Sequence, residues 1–178
     1  MKIVKFTLLV ILAIIILLLI IAAFVKKDMN IVKEITINKS KQEVFAYVKL
    51  LKNQDNYSKW GSMDPNMKKT YTGTDGTVGF ISAWEGNKDV GAGEQEILKI
   101  DEGSRIDYAL RFIKPFKSNA DAFMIFEDAS NNQTKVKWGF KSKMTYPMNI
   151  MLLFISADEM VGKDFQIGLD NLKKVMEK

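Results

Sequence analysis

Most of the chain alternates between apolar and polar residues, which is the pattern of strands with one buried face. One such segment covers Asp28 to Ser40, and six more, separated by turn signals, follow between Lys69 and Met144. A single long amphipathic helix near the C-terminus is available to cover them, and its apolar stripe consists of Val161, Phe165, Leu169, Leu172 and Met176. One-faced strands need such a cover. We therefore predict an α+β fold, in which a curved antiparallel sheet wraps on the C-terminal helix.

Two short helices are expected between the first strand and the others. Ser40 is followed three residues later by Glu43, the pattern of a capping box that starts a helix. A second short helix is predicted from Gln54 to Trp60, with Gly61 ending it.

The residues from Phe6 to Val25 form an apolar run of about 20 residues, with Thr7 as its only polar member. As an α-helix this run would be about 30 Å long, which is the thickness of the hydrocarbon core of a membrane. We expect a retained single-pass anchor over residues 1–27 and one domain over residues 28–178. The alternative is a signal peptide cleaved after Ala23. Signal sequences have shorter apolar regions of about 7–15 residues, and Ile21 suits the cleavage site poorly.

Lysines flank both ends of this run, so they do not determine on which side of the membrane the domain lies. The short N-terminal tail with Lys2 and Lys5 favours an extracytoplasmic domain, whereas Lys26, Lys27 and Lys33 favour the cytoplasmic side. The expected location is a bacterial inner membrane. Of the 26 Lys and Arg residues, 22 remain when the four that flank the run are set aside, against 21 Asp and Glu residues. This balance predicts no nucleic-acid partner.

The composition also limits the possible chemistry. The chain has no histidine and no cysteine, which excludes histidine bases, the Ser-His-Asp and Cys-His systems, and zinc bound by nitrogen or sulfur. Acid–base chemistry would fall to Asp, Glu, Lys or Tyr. We predict no metal and no cofactor.

The segment GFISAWEGNKDVGAGEQ, from Gly79 to Gln95, poses the question of whether Trp84 belongs to a hairpin or to a site. Trp84 has the same parity as Phe80, which places it on the inner face, and Glu85 is expected to point into water. Gly86 and Asn87 are predicted to supply the positive φ angles of a tight turn. The segment therefore predicts a hairpin whose inner tryptophan lines a cavity.

Three segments resemble the SRPBCC superfamily, the START-like helix-grip proteins that include the polyketide cyclase/dehydrase-like and lipid-transport branch. They are ITINKSKQEVFAYV, SAWEGNKDVGAGEQEI and GKDFQIGLDNLKKVME. The resemblance covers roughly residues 30–178. It implies a fold with a hydrophobic internal cavity, and it implies neither one reaction nor a shared set of catalytic residues.

One helix leaves gaps over a face of large aromatic side chains, so we expect a ligand cavity of about 300–1,000 Å³ between sheet and helix. Methionines suit an adaptable pocket, and the apolar segment from Met144 to Ile155 is interpreted as a gate, an interfacial membrane element or a helix packed under the sheet. The predicted lining residues are Phe80, Trp84, Tyr108, Leu110, Phe112, Met124, Phe126, Trp138, Phe140, Met148, Met151, Phe165 and Leu169.

Three functions are compatible with these patterns. The leading hypothesis is membrane-tethered binding of a small hydrophobic molecule, lipid- or polyketide-like. The first alternative is a cyclase- or dehydratase-type enzyme that uses Tyr108, or Glu94 or Glu96 if one of them faces inward with a shifted pKa. The second alternative is a protein-interaction module, which a solid core and an exposed apolar patch would favour.

Overall fold

The computed structural model, which describes residues 2–178, begins with the helix α1 (Lys2–Phe24). This helix is long and apolar enough to cross a membrane. Ala22 is its only buried residue, so the rest of the described chain leaves its side chains uncovered. A helix that is apolar on all sides is normally buried in protein or lipid.

Within residues 2–178, seven strands form one antiparallel sheet in the order β1-β7-β6-β5-β4-β3-β2. β1 pairs with β7, and Ile31 lies opposite Phe140. This curved sheet with a C-terminal helix confirms the predicted helix-grip α+β fold. The strands are β1 (Asp28–Ile37), β2 (Lys68–Thr72), β3 (Ile81–Glu85), β4 (Ala92–Asp101), β5 (Arg105–Lys114), β6 (Ser118–Ala129) and β7 (Gln133–Lys143).

The helix α2 (Lys41–Lys49) begins with the predicted capping box. The Glu43 N–H donates to Ser40 Oγ at 3.3 Å, and the Ser40 N–H donates to the Glu43 carboxylate at 3.2 Å. These two bonds satisfy donors that a helix N-terminus otherwise leaves free.

The single helix predicted over Gln54 to Trp60 is wrong. A 3₁₀ helix (Leu51–Asn56) and a short helix α3 (Lys59–Ser62) occupy this region. Tyr57 separates them because its side chain is buried in the core, and the chain is extended at Ser58. Gly61 lies within α3 rather than after it.

The chain after β7 forms a 3₁₀ helix (Met148–Leu153), a π-helical turn (Asp158–Gly162) and the helix α4 (Lys163–Met176). Phe165, Leu169 and Leu172 are buried beneath α4, as the apolar stripe predicts. The 3₁₀ helix packs beside the end of α1 instead of under the sheet.

The strand register defines two ends of the sheet. One end carries the start of β1, the end of β7, the β3–β4 loop and the β5–β6 loop, and we call it the anchored end because α1 leads into it. The far end carries the β4–β5 and β6–β7 turns. α2 contacts β6 and β7, and the edge of Phe45 meets the Phe126 ring at 5.2 Å between centroids, so the far half of the concave face is filled.

Candidate functional site

A cavity of about 250 Å³ lies in the half of the concave face nearer the anchored end. Its floor is formed by β3 to β7, its side by the 3₁₀ helix 51–56 and α3, and its roof by the beginning of α4. None of its lining residues comes from α2. The volume falls slightly below the predicted range, because aromatic rings fill part of the space.

An aromatic cluster closes the cavity between sheet and roof. The ring of Phe165, at the start of α4, lies 4.8 Å from that of Trp138, 5.3 Å from that of Trp60 and 5.8 Å from that of Phe140, measured between centroids. The first two pairs meet edge to face, an arrangement that adds to the free energy of burial. The roof is therefore held by defined ring contacts.

Trp84 lines the cavity because its cross-strand partner is a glycine. Gly93 lies directly opposite Trp84 in the β3–β4 ladder. A Cβ on Gly93 would come within 2.6 Å of Trp84 Cζ2, so only glycine leaves room for the indole ring at this position. Gly93 thus helps to shape the cavity wall.

The turn after Trp84 differs from the prediction. The positive φ is found at Gly91, at +69°, and not at Gly86 or Asn87. The Asn87 side chain instead accepts hydrogen bonds from the N–H groups of Asp89 and Val90, which closes the turn locally. Glu85 points outward as predicted and pairs with Lys114 at 2.7 Å.

Polar side chains without protein partners border the apolar space. Gln95 is only 8% exposed, lines the cavity, and its amide forms no hydrogen bond with any residue in the range 2–178. Ser82 lies directly opposite it on β3, and the buried Ser58 lies on the other wall. Within the described chain, neither hydroxyl is hydrogen-bonded. Ser82 is only half-buried, and none of the polar atoms of these three side chains is fully enclosed by the described residues. They are therefore available to bond a ligand or water in the cavity.

One ion pair is part of the wall. Lys69 Nζ contacts the Asp55 carboxylate, which also accepts a hydrogen bond of 3.4 Å from the Tyr71 hydroxyl. Burial lowers the pKa of Lys69 from its ordinary value. Asp55 and Asp89 are exposed lining residues, so they mark where the cavity reaches the surface.

The predicted lining residues divide according to their position along the strands. Trp84, Leu110, Phe112, Trp138, Phe140 and Phe165 line the cavity. The structure places Phe80, Tyr108, Met124, Phe126 and Leu169 in the packed core instead. The predictions for these five as lining residues are wrong, because strand parity identifies the inner face but not the part of it that other helices fill.

Met148 and Met151 are also misplaced in the prediction. Both lie in the 3₁₀ helix 148–153 beside α1, outside the cavity, and Met148 is exposed. The interpretation of Met144 to Ile155 as a gate over the cavity is therefore wrong.

The side chains considered for catalysis do not meet in the cavity. Glu94 and Glu96 both pair with Arg111, at 2.8 Å in the case of Glu94, on the face of the sheet opposite Gln95. Burial raises the pKa of Tyr108 well above its ordinary value, so this phenol stays protonated and cannot act as a base near neutral pH. Sequence patterns missed Gln95, although it shares its parity with the buried Ile97.

The sheet, the gripping helix and the cavity between them define a helix-grip protein. The sequence profile of the family described as "Polyketide cyclase / dehydrase and lipid transport" matches residues 28–177. The chain belongs to this family, which confirms the resemblance to the SRPBCC superfamily. No curated protein matches the chain.

Solved structures show the same fold at low sequence identity. Truncated norcoclaurine synthase from Thalictrum flavum is 10% identical with a TM-score of 0.64, covering 85% of this chain and 94% of that one. The ginseng major latex-like protein 151 from Panax ginseng is 10% identical with a TM-score of 0.60, covering 84% and 98%. A protein from Chromobacterium violaceum is 12% identical with a TM-score of 0.59, covering 84% and 97%. These likenesses extend to the fold alone.

Proposed function

We propose that this protein is a membrane-tethered binding protein for a small, mostly apolar molecule that carries a neutral hydrogen-bonding group. The observation that carries the proposal is Gln95, a mostly buried residue in the lining of an aromatic cavity, whose amide has no hydrogen-bond partner among the described residues. Pockets for small ligands are mostly apolar and contain a few polar groups that orient the ligand. The family description, which includes lipid transport, supports a lipid- or polyketide-like ligand.

The charges of the cavity wall favour a neutral ligand over a fatty acid. Lys69, the one basic residue among the lining residues, already contacts Asp55, and Asp89 adds a second carboxylate. A ligand carboxylate would have to compete with Asp55 for Lys69 and would be repelled by Asp89. A hydroxyl, ketone or amide group can bond to Gln95, Ser82 and Ser58 without this cost.

In this proposal α1 is the membrane tether. The chain then divides, as proposed from the sequence, into an anchor over residues 1–27 and one domain over residues 28–178. The cavity lies in the half of the sheet next to the anchored end, so a ligand dissolved in the bilayer has a short path to it. Carbonate extraction of membranes should leave the full-length chain in the pellet. A soluble product shortened by about 23 residues would instead show that the run is cleaved.

Native mass spectrometry tests the binding function directly. The full chain, purified from its own cells in mild detergent, should carry an added mass that is released on unfolding. Lipid extraction and mass analysis of that component should then identify an apolar molecule with at least one uncharged oxygen or nitrogen group. A chain that carries no added mass, and that binds none of a panel of apolar dyes, would contradict the proposal.

A cyclase- or dehydratase-type activity is the second candidate, and the pair of Lys69 and Asp55 favours it. A lysine with a lowered pKa beside a carboxylate in a cavity wall is a common setting for proton transfer. Incubation of the protein with the co-purified ligand should then change the ligand's mass or structure, and Lys69→Met should prevent the change while ligand binding remains.

A further inference from the structure

The segment between β7 and the π-helical turn has an unusual surface. From Met144 to Ala157, fourteen residues carry no charged side chain. Phe154 is 79% exposed, Leu153 56% and Met148 54%. A contiguous exposed apolar surface of this kind marks an interaction site.

Hydrogen bonds fix this segment to the last two turns of α1. Asn149 Nδ2 donates to the carbonyls of Ala22 and Val25, at 2.7 Å and 3.0 Å, and the Tyr146 hydroxyl donates to the carbonyl of Leu19 at 3.3 Å. The carbonyls at the end of a helix lack partners within the helix, so Asn149 acts as a cap supplied from a distant part of the chain. The segment is thereby held at one position along the axis of α1.

That position corresponds to a depth in the membrane. Leu19 lies seven residues before Lys26, which is about 10 Å along a helix. If Lys26 and Lys27 lie among the headgroups, the hydrogen-bonded segment lies beside the outermost acyl-chain region. Amphipathic elements at a membrane surface bury their apolar side to about 5–10 Å, which is the same depth.

A groove between α1 and the segment also suits a position at the membrane interface. It has a volume of about 660 Å³ and runs between the end of α1 and the end of the 3₁₀ helix. Apolar side chains line its length, and Lys26, Asp28 and Ser156 provide polar groups at its border. This arrangement suits one lipid, with its acyl chain in the groove and its headgroup beside the polar side chains.

The rest of the anchored end is compatible with a lipid surface. Phe116, in the β5–β6 loop, is 81% exposed, and Lys114 and Lys117 flank it. Lysines outnumber carboxylates at this end, which attracts anionic headgroups. The lysines are Lys26, Lys27, Lys68, Lys88, Lys114, Lys117 and Lys143, and the exposed carboxylates are Asp28, Glu85, Asp89 and, just after the segment, Asp158 and Glu159.

We propose that residues 146–155, together with Phe116, form a second membrane contact that inserts into the bilayer interface and docks the anchored end of the domain on the lipid. This inference rests on the proposed role of α1 as a membrane anchor. The occupant of the apolar surface is the lipid bilayer, because the hydrogen bonds to Leu19 and Ala22 hold the surface at acyl-chain depth. The opening of the cavity beside Asp89, in the β3–β4 loop, then lies close to the headgroups.

Depth-dependent quenching tests the proposal on the full chain. The protein has no cysteine, so single cysteines at exposed positions can carry an environment-sensitive fluorophore. Phe154→Cys and Met148→Cys report on the segment, Phe116→Cys on the loop, and Leu12→Cys on the middle of α1. Ser130→Cys, in the β6–β7 turn at the far end, is the matched control. Each variant is reconstituted into vesicles of phosphatidylcholine and phosphatidylglycerol that contain nitroxide-labelled lipids, without any other protein.

The expected result is at least a twofold loss of fluorescence at positions 154, 148 and 116 with shallow nitroxides, a similar loss at position 12 with deep nitroxides, and almost no loss at position 130. Quenching at position 12 without quenching at positions 154 and 148 would overturn the second contact and leave the anchor intact. The apolar surface would then be free for a protein partner. An unquenched position 12 would refute the anchor itself, and the docking with it. The two segment positions guard against one variant that fails to fold, which circular dichroism detects.

Discussion

Trp138 on β7 and Phe165 on α4 meet edge to face, with ring planes inclined by 74°. Trp138 also contacts the ring of Tyr57 in the packed half of the concave face, at 5.8 Å between centroids. Phe165 contacts Trp60 on the cavity side. The pair therefore stands at the boundary between packed core and cavity, and its position sets how much space a ligand has.

Gly168→Ala should disturb this boundary. A Cβ at position 168 would lie 2.7 Å from Trp138 Cζ3, so the indole ring or the helix must move. Overpacking of this kind costs about 1–3 kcal/mol, more than the gain of up to about 1 kcal/mol from replacing a helical glycine. Chemical unfolding of the full chain should show a net loss of stability, whereas Lys174→Ala on the exposed side of α4 should not. A variant as stable as the wild type would show that Trp138 has room to move.

Ala122→Trp should fill the cavity. Ala122 lies on β6, is buried and lines the space, as its parity with Met124 predicts. An apolar dye that quenches tryptophan fluorescence should bind at least tenfold more weakly to this variant, while the fold is retained at a cost of about 1–3 kcal/mol. Ala46→Trp, on the exposed face of α2, is the control and should bind as the wild type does. Unchanged binding by Ala122→Trp would place the ligand elsewhere.

Gln95→Leu should separate polar from apolar recognition. The substitution replaces a cavity-lining amide that has no hydrogen-bond partner among residues 2–178, so no intramolecular bond is lost and stability should change little. Binding of a hydroxyl- or ketone-bearing amphiphile should weaken about tenfold, the loss of one hydrogen bond of about 1–1.5 kcal/mol, while a hydrocarbon probe of equal size binds no worse. Isothermal titration of both probes measures the difference. An equal effect on both probes would mean that Gln95 only shapes the wall.

Leu169→Asp should disrupt the packing of α4 against the sheet. Leu169 is fully buried, and an unpaired carboxylate at this position costs several kcal/mol. Ile167→Asp, on the exposed side of the same helix, is the matched control and should change stability by about 0.5 kcal/mol or less. If Leu169→Asp melts at the temperature of the wild type, α4 does not hold the sheet.

The capping box of α2 should make the stability of the protein depend on pH. Hydrogen bonds from the Ser40 hydroxyl and then the Ser40 backbone N–H hold the pKa of Glu43 below its ordinary value. A carboxylate with a lowered folded-state pKa stabilises the protein above its unfolded-state pKa, and this contribution is lost as the pH falls through the folded-state value. The stability difference between wild type and Glu43→Gln should therefore shrink between about pH 6 and pH 3. Ser40→Ala removes the hydroxyl that donates to Glu43 and should therefore reduce the pH dependence of stability. If the pH profile of this variant equals that of the wild type, other carboxylates cause the dependence.

The sheet was predictable from the sequence because strand alternation and the capping box are local signals. Parity placed Trp138 and Phe112 on the inner face without any tertiary information. It did not distinguish the cavity from the packed core, because that difference depends on where α2 docks along the strands. Met148 shows a second limit, since an apolar side chain does not reveal whether it faces a cavity or the surroundings of α1. The cap that Asn149 provides to Ala22 joins residues 127 positions apart, and no local pattern encodes it.

The pairing of β1 with β7 also determines the order in which the domain can fold. Ile31 and Phe140, which face each other in the ladder, are separated by 109 positions, so their contact closes most of the domain. Such distant pairings slow folding, because the entropy of closing the chain is lost before the contacts form. During synthesis β1 is the first strand made and the last to find its partner, and until β7 emerges its edge is open to wrong pairing. An anchor already inserted in a membrane would keep that waiting strand at the bilayer surface, away from other nascent chains in solution.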